Sequence, residues 1–141
     1  MLKTIIDNDT FFEVVKAELA SQKNISFTVK GTSMWPFYKD GKTIVYVDLP
    51  KHLKKYDVVL ADYQGKVILH RIIKIQNDTY TLRGDATYRK EVVDVTDIFA
   101  KVIAHQHKKK VSMDSKKYRL SVFLWVNNPF RKVILRLRSL K

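Results

Sequence analysis

The chain has 141 residues, enough for one domain with a buried core, and no cysteine, which excludes a disulfide framework, a thiol nucleophile and a thiolate metal site. Its formal net charge of +13 suggests a polyanionic partner, but the excess is confined to the tail. Residues 1–100 carry 15 Lys/Arg and 13 Asp/Glu, whereas residues 101–141 carry 12 Lys/Arg and one acidic residue. The body of the chain therefore lacks the charge of a nucleic-acid reader, and a nucleic-acid partner is disfavoured.

The start of the chain predicts a short helix. Phe11 or Phe12, Val15 and Leu19 recur at helical spacing, and the helix should end near Ser21. Acidic residues interrupt the apolar positions, so this segment is not typical of a secretory signal. No window supplies the roughly 20 apolar residues that span a bilayer. We therefore expect a cytoplasmic location.

From Ile25 onward the apolar residues alternate with polar ones, which is typical of half-buried strands. Gln64-Gly65 and Asn77-Asp78 are typical of turns between such strands. The predicted strands cover residues 25–29, 43–47, 57–63, 66–75, 79–83 and 98–105. So many short strands in about 80 residues predict a mainly β fold, a curled antiparallel sheet or partial barrel, rather than βαβ units.

The character of the sequence changes after His107, so we divide the chain into a domain of residues 1–107 and a basic extension of residues 108–141. The polar stretch HKKKVSMDSKK predicts a linker, and KYRLSVFLWV fits either a helix or a buried strand. Asn128-Pro129 then begins a basic amphipathic helix. Its apolar face consists of Phe130, Val133, Ile134 and Leu137. Either this face packs on the domain's own sheet, or residues 128–141 contact the inner face of the membrane peripherally.

Ser33 and His70 are the residues whose surroundings point to chemistry. Ser33 lies in the loop GTSMWPFYKDG between two predicted strands, and a nucleophilic serine needs a base within hydrogen-bond reach. His70 replaces an apolar residue in the strand KVILHRIIKI, whereas His52, His105 and His107 are expected to be solvated. His105-x-His107 lacks a carboxylate or thiolate nearby in sequence, so we expect no metal site and no cofactor.

Four motifs occur in a fixed order within 55 residues. They are Gly31-x-Ser33-Met34-x-Pro36, Asp57-Val-Val59, His70-Arg71 and Gly84-Asp85. The set resembles the serine peptidase superfamily that contains signal peptidases and the self-cleaving SOS repressors (LexA-like proteins), over about residues 27–104. Because a histidine precedes the arginine, the chain is similar to the histidine-base subgroup of endoplasmic-reticulum and archaeal signal peptidases.

The resemblance implies a serine peptidase with a catalytic domain of the signal peptidase/LexA-like fold. In it Ser33 would be the nucleophile, His70 the general base, and Asp85 the residue that orients the imidazolium. The Ser33 N–H would supply the oxyanion hole, helped by the Thr32 hydroxyl. Supporting positions would be Gly31, Met34 and Pro36 in the nucleophile loop, and Arg71 and Gly84 next to the other two catalytic residues.

The substrate implied by the resemblance is a polypeptide bound as an extra strand and cut after small residues. Self-cleavage of the repressor type needs a small residue followed by glycine, and the four glycines follow Lys30, Asp40, Gln64 and Arg83. Cleavage would therefore occur in trans, on a precursor or leader. The alternatives are an inactive descendant of the fold that binds peptides or partners, and a basic module that binds membrane or nucleic acid. The sequence leaves the oligomeric state open.

Overall fold

The computed structural model describes residues 8–21 and 25–140. In chain order the elements are α1 (Asn8–Ala20), β1 (Ile25–Thr28), β2 (Ile44–Asp48), β3 (Val58–Tyr63), β4 (Lys66–Gln76), β5 (Thr79–Arg83), β6 (Lys90–Asp94), a 3₁₀ turn (Val95–Asp97), β7 (Ile98–Gln106), β8 (Lys110–Ser112), α2 (Lys116–Val126) and α3 (Arg131–Ser139). No helix within these residues is long and apolar enough to cross a membrane.

The strands of the described chain form one antiparallel sheet. Their order is β1-β2-β7-β3-β4-β5-β6, and β8 pairs with β7. The sheet curls strongly enough to bring β6 towards β3, although two strands separate them in this order. The predicted mainly β fold, a curled antiparallel sheet with a short N-terminal helix and helices at the C-terminal end, is confirmed.

Two tight hairpins form where the sequence predicts turns. Gln64 and Gly65 connect β3 to β4 with φ angles of 49° and 80°, and Asn77 after β4 has a φ of 56°. Positive φ at the centre of a two-residue turn matches the twist of the flanking strands, and glycine and asparagine adopt it at low cost. These turns fix the register of β4, the strand that carries His70.

Two strands of the structure are absent from the sequence prediction. β6 was not predicted, and β8 lies inside the stretch expected to be a linker. β8 has only three residues, too few for an alternating pattern to stand out. The stretch that fitted either a helix or a strand is the helix α2, capped by Ser115, whose hydroxyl accepts a hydrogen bond from the Tyr118 N–H.

The buried apolar residues form a larger and a smaller cluster. The larger contains the predicted inner face of α1, namely Phe11, Val15 and Leu19, together with Tyr118 and Val122 from α2. The smaller lies within the curl of β3 to β7 and consists of Val59, Ala61, Ile72, Leu82, Val93 and Ile98. Because α2 contributes to the larger cluster, the extension packs on the body of the protein.

The packing of the helix α3 tests whether its predicted apolar face lies against the protein's own sheet. Arg131 and Leu135 are buried, whereas Phe130, Val133 and Leu137 are exposed. Packing of the predicted apolar face on the protein's own sheet is therefore wrong for these three residues, because the opposite face of the helix contacts the body.

Candidate active site

Ser33 lies on a tightly bonded loop between β1 and β2. The loop begins at Gly31, whose φ of 89° is costly for any residue with a Cβ. The Gly31 N–H donates to Asp40 Oδ1 at 2.8 Å, and the Gly41 N–H donates to the Val29 carbonyl at 2.8 Å. These bonds join the two ends of the loop, so the Ser33 backbone is held from both sides.

The loop is also anchored in the core by two side chains that follow Ser33 in sequence. Met34 and Tyr38 are almost completely buried, and the Tyr38 N–H donates to the Met34 carbonyl at 2.9 Å. Burial raises the pKa of Tyr38 well above its ordinary value. The backbone of Ser33 is therefore attached to the core through its neighbour Met34. Pro36 lies between these anchors and is half-buried.

The Gly84-Asp85 turn lies directly against Ser33. The Ala86 N–H donates to the Ser33 carbonyl at 2.8 Å. A Cβ placed on Gly84 would lie 2.7 Å from the same carbonyl oxygen, closer than real Cβ atoms come to a backbone atom. Only glycine at residue 84 allows this approach, so the turn and the nucleophile loop are fitted to each other.

His70 is buried in β4 and contacts a carboxylate that sequence reasoning missed. Its Nδ1 lies 2.6 Å from Glu91 Oε1, and both side chains are nearly inaccessible to water. A carboxylate accepts hydrogen bonds, so Nδ1 is the nitrogen that donates to Glu91, and Nε2 is the nitrogen left to accept a proton. The histidine is therefore held in the tautomer that a general base needs.

Ser33 and His70 line the same cavity. It has a volume of about 230 Å³. Its other lining residues come from α1, β1 and the loop after it, and the first half of β4: Phe11, Phe12, Phe27, Thr28, Val29, Lys30, Met34, Val67, Ile68 and Leu69. No hydrogen bond joins the Ser33 hydroxyl to His70 in the described structure. Such bonds are often long in unliganded enzymes and tighten when substrate binds.

Asp85 does not contact His70, so the prediction that it orients the imidazole is wrong. Both Asp85 oxygens accept from Arg71, Oδ1 from Nε and Oδ2 from Nη2, each at 2.8 Å. Adjacent strand residues point to opposite faces, so Arg71 lies on the face of β4 away from His70. Both oxygens of the Asp85 carboxylate are therefore bonded to the Arg71 guanidinium.

The Arg71 side chain is fully buried and donates four hydrogen bonds. Besides Asp85 it donates to the Tyr56 carbonyl and the Tyr118 hydroxyl, at 2.8 and 2.9 Å. Burial, the largest single cause, would lower the pKa of Arg71, but the Asp85 carboxylate together with Tyr118 and Tyr38 holds that pKa well above the ordinary value. Arg71 and Asp85 therefore form a buried ion pair behind the site.

Two backbone N–H groups near Ser33 donate no hydrogen bond in the described part of the chain. Neither the Ser33 N–H nor the Met34 N–H donates a hydrogen bond within the residues that the structure describes. Thr32 is exposed, and its carbonyl accepts from the Trp35 N–H at 3.1 Å. Free N–H groups beside a serine are the donors that an oxyanion hole requires.

The C-terminal helices hold the Gly84-Asp85 turn from its other side. Nη2 of Arg131 donates to the carbonyls of Gly84 and Asp85 at 3.0 and 2.9 Å and to that of Thr87 at 2.6 Å. Trp125 Nε1 donates to the Asp85 carbonyl at 2.8 Å. Burial lowers the pKa of Arg131 to about 10, which leaves it charged at neutral pH. Sequence reasoning missed both residues.

The three histidines outside β4 differ in their exposure to solvent, although all three were expected to be solvated. His52 and His107 are exposed, but His105 is buried between the rings of Tyr38 and Tyr118, at centroid distances of 5.3 and 4.8 Å. The expectation that His105 is solvated is wrong. Among the described residues no group of three or more His, Asp or Glu side chains could hold a metal ion.

The signal for Glu91 was present in the sequence but weak. In KEVVD, the residues of β6, Glu91 shares its strand face with Val93, and the burial of the strand alternates accordingly. A glutamate on an inward face needs a partner. That partner, His70, is two strands away in the sheet and is reached only because the sheet curls.

Comparison with known proteins identifies a family. No curated protein matches the sequence significantly. A family model described as peptidase S24-like matches residues 3–103. The match covers most of the chain, including Ser33, His70, Asp85 and Glu91, and it supports a serine-peptidase type of function in general. The chain belongs to the peptidase S24-like family.

Proposed function

We propose that this protein is a serine endopeptidase with a histidine base, in which Ser33 is the nucleophile and His70 takes its proton. The observation that carries this is the shared cavity of Ser33 and His70, together with the 2.6 Å contact between His70 Nδ1 and Glu91. Glu91 takes the role that the family resemblance implied for Asp85. The site then has the nucleophile, base and orienting carboxylate of a catalytic triad.

The chemistry follows from these contacts. Nε2 of His70 accepts the Ser33 hydroxyl proton while Oγ attacks the scissile carbonyl carbon, and Glu91 stabilises the resulting imidazolium. Backbone N–H groups at Ser33 and Met34 bind the oxyanion. His70 then gives the proton to the leaving amine, which departs as the acyl-enzyme forms. Water, deprotonated by His70, releases the acyl group and regenerates Ser33.

Two strand edges beside the cavity suit an extended substrate. β1 ends the sheet, and residues 66–70 of β4 pair with β3 on one side, whereas the pairing of β4 with β5 begins at Arg71. Both segments line the cavity. A polypeptide lying between them forms backbone hydrogen bonds along its length, which supplies affinity without strict sequence requirements.

The cavity walls favour small side chains next to the cleaved bond. Phe11 and Phe12 of α1 and Met34 of the nucleophile loop occupy the space around Ser33, and about 230 Å³ remains. A residue such as alanine or serine is compatible with this space. Cleavage of a precursor or leader polypeptide in trans after small residues is the activity that we propose.

An inactive peptide-binding protein with the same groove is the competing function. It is favoured by the missing hydrogen bond between Ser33 and His70. Both functions predict peptide binding between β1 and β4, but only a peptidase cleaves what it binds. Cleavage is therefore the observation that separates them.

The test is incubation of the wild type, Ser33→Ala and Ser121→Ala with a peptide library, read by mass spectrometry. The exposed Ser121 is the matched control. We expect cuts after small residues with the wild type and with Ser121→Ala, and none with Ser33→Ala. Equal cleavage by Ser33→Ala, or binding without cleavage by the wild type, would refute the peptidase.

A further inference from the structure

The outer face of α3 is apolar and exposed to solvent. Phe130, Val133, Leu137 and Leu140 follow one another at helical spacing, and 65% of Phe130, 59% of Leu137 and 78% of Leu140 are exposed. A helix of a monomeric protein normally turns such a face towards the core. This helix turns it outward.

Specific contacts fix that orientation. The buried Arg131 side chain is bonded to three carbonyls of the Gly84–Thr87 region, and Leu135 is buried beneath the helix. At the far end of α3 the guanidinium of Arg138 lies 4.5 Å from the centre of the Trp35 ring. The apolar face is thus directed outward by bonds that the fold itself makes.

The helix that precedes α3 also exposes apolar side chains. Leu120, Phe123 and Leu124 of α2 lie at positions i, i+3 and i+4 and are about half exposed or more. Only residues 127–130 separate α2 from α3. Seven large exposed apolar side chains therefore occur within 21 residues, far more than the scattered single residues of an ordinary surface. We call these seven residues and the helices that carry them the helical surface.

The charges on the helical surface are all positive. Lys116, Lys117, Lys132 and Arg136 are exposed, and none of them forms an ion pair within residues 8–21 and 25–140. Residues 115–140 contain no acidic side chain. The partner must therefore supply both negative charge and an apolar environment.

We infer that the helical surface binds an anionic lipid membrane, with the apolar side chains in the acyl boundary and the lysines and arginine at the headgroups. Amphipathic helices with a basic polar face bind in this way, and each cation near the surface strengthens the attraction to anionic lipid. A fluid interface accepts leucine, valine and phenylalanine side chains from two helices without needing a complementary shape.

Two other occupants fit the charges and the apolar residues less well. A second copy bound symmetrically would bring the cations of both helical surfaces together with no carboxylate between them. A nucleic acid would pair with the cations, but its phosphates and base edges offer nothing to seven aliphatic and aromatic side chains. Of these three occupants, a membrane satisfies both properties.

Flotation with vesicles tests this inference on the full chain. Vesicles of phosphatidylcholine alone are compared with vesicles containing about 30% phosphatidylglycerol. We expect the wild type to float with the anionic vesicles and at least tenfold less with the neutral ones. Val133→Ser/Leu137→Ser and Lys132→Glu/Arg136→Glu should each lower the bound fraction at least tenfold, and these exposed positions should leave the thermal unfolding midpoint almost unchanged.

Matched controls separate the helical surface from charge and from catalysis. Lys74→Glu/Lys90→Glu makes the same change in net charge at exposed positions on the sheet and should float like the wild type. Ser33→Ala should also float normally, so membrane binding stands even if the protein is not a peptidase. Flotation unaffected by the α3 variants would overturn the inference. A dimer in the absence of vesicles, dissociated by Val133→Ser/Leu137→Ser, would identify a second copy as the occupant instead.

Discussion

At the scale of single residues, the site depends on two buried carboxylates with different tasks. Glu91 contacts the imidazole of His70, whereas Asp85 is bonded twice to the guanidinium of Arg71. Both are acidic, buried and close to the proposed nucleophile loop. They should nevertheless respond differently to mutation, because His70 is the proposed base and Arg71 has no proposed part in the reaction.

Glu91→Gln should slow catalysis with little effect on stability. The amide keeps the size of the glutamate but removes the charge that stabilises the imidazolium. We expect the cleavage rate to fall by a factor on the order of 10² to 10⁴, as for an altered orienting residue of a triad. Initial rates on the best peptide and urea unfolding of the same preparations measure the two effects. An unchanged rate would remove Glu91 from the proposed mechanism.

Asp85→Ala should instead destabilise the fold. It leaves the Arg71 guanidinium buried without its counterion, a change that costs about 3–5 kcal/mol. Equilibrium urea unfolding measures this loss, or the variant fails to accumulate as folded protein. Asp78→Ala, at an exposed turn, is the control and should change stability by less than about 0.5 kcal/mol. Equal stability of the two variants would contradict the assigned role of Asp85.

The residue-level outcome shows what a sequence can reveal about a site. Ser33 and His70 were suggested by local motifs, each readable within a few positions. Asp85 follows glycine in such a motif too, but its actual partner depends on which face of β4 points towards it. Glu91 carries no motif. Its contact with His70 arises from the curl of the sheet, and the curl cannot be predicted from a local sequence pattern.

At the scale of elements, the turn after β5 connects the C-terminal extension to the nucleophile loop. Arg131 and Trp125 bind one side of the turn, and the other side binds the Ser33 carbonyl through the Ala86 N–H. The family match ends at residue 103, before either helix begins. The extension thus supplies a support that lies outside the matched region.

Arg131→Ala should therefore lower kcat more than it raises KM. Loss of three bonds to the turn lets the Ser33 backbone shift, and a misplacement of about 1 Å costs up to about 10²-fold in rate. Arg131→Lys, which keeps three donors on one nitrogen, should restore part of the rate. Steady-state kinetics with Lys132→Ala as the exposed neighbouring control tests this. A change in KM alone would show that Arg131 contributes to substrate binding rather than to positioning.

The elements themselves were predictable where their patterns were long. The apolar run in residues 66–75 and the helical spacing in α1 predicted the right structures because tertiary contacts reinforce these local preferences. The sequence also showed that α3 is amphipathic. It could not show which face of α3 contacts the body, because that choice is made by the carbonyl groups of Gly84, Asp85 and Thr87.

At the scale of the whole molecule, the buried His105 couples core stability to pH. Burial, with the positive charge of Arg71 as the smaller cause, lowers the pKa of His105 from 6.5 to about 4. The unfolded chain therefore binds a proton that the folded protein excludes between these values. Stability is lost as the pH falls from about 6.5 towards 4.

His105→Phe should flatten that loss. The aromatic ring keeps the contacts with Tyr38 and Tyr118 but binds no proton. Urea midpoints measured at several pH values from neutral to about 4.5 should fall less steeply for this variant than for the wild type. His107→Phe, at an exposed position, is the control and should follow the wild type. Parallel curves for all three proteins would contradict the pH effect assigned to His105.

The positive charge of the chain is concentrated in its C-terminal part, which also contains the two helices α2 and α3. The sequence located the excess of positive charge in the last 41 residues, and the structure places part of it on two helices that expose apolar side chains. The same helices hold the turn behind Ser33. A membrane contact and a cleavage site would therefore be mechanically joined in one small molecule.

Reaction of Ser33 with a fluorophosphonate tests the central claim most directly, because it needs no substrate. Ser33 Oγ would attack phosphorus, fluoride would leave, and His70 would take the proton. Mass spectrometry should find one phosphonyl group, located on Ser33, in the wild type and in Ser121→Ala. Ser33→Ala should stay unmodified, and His70→Ala and Glu91→Gln should react far more slowly. A wild type that does not react, or one that reacts equally fast without His70, would contradict an activated Ser33.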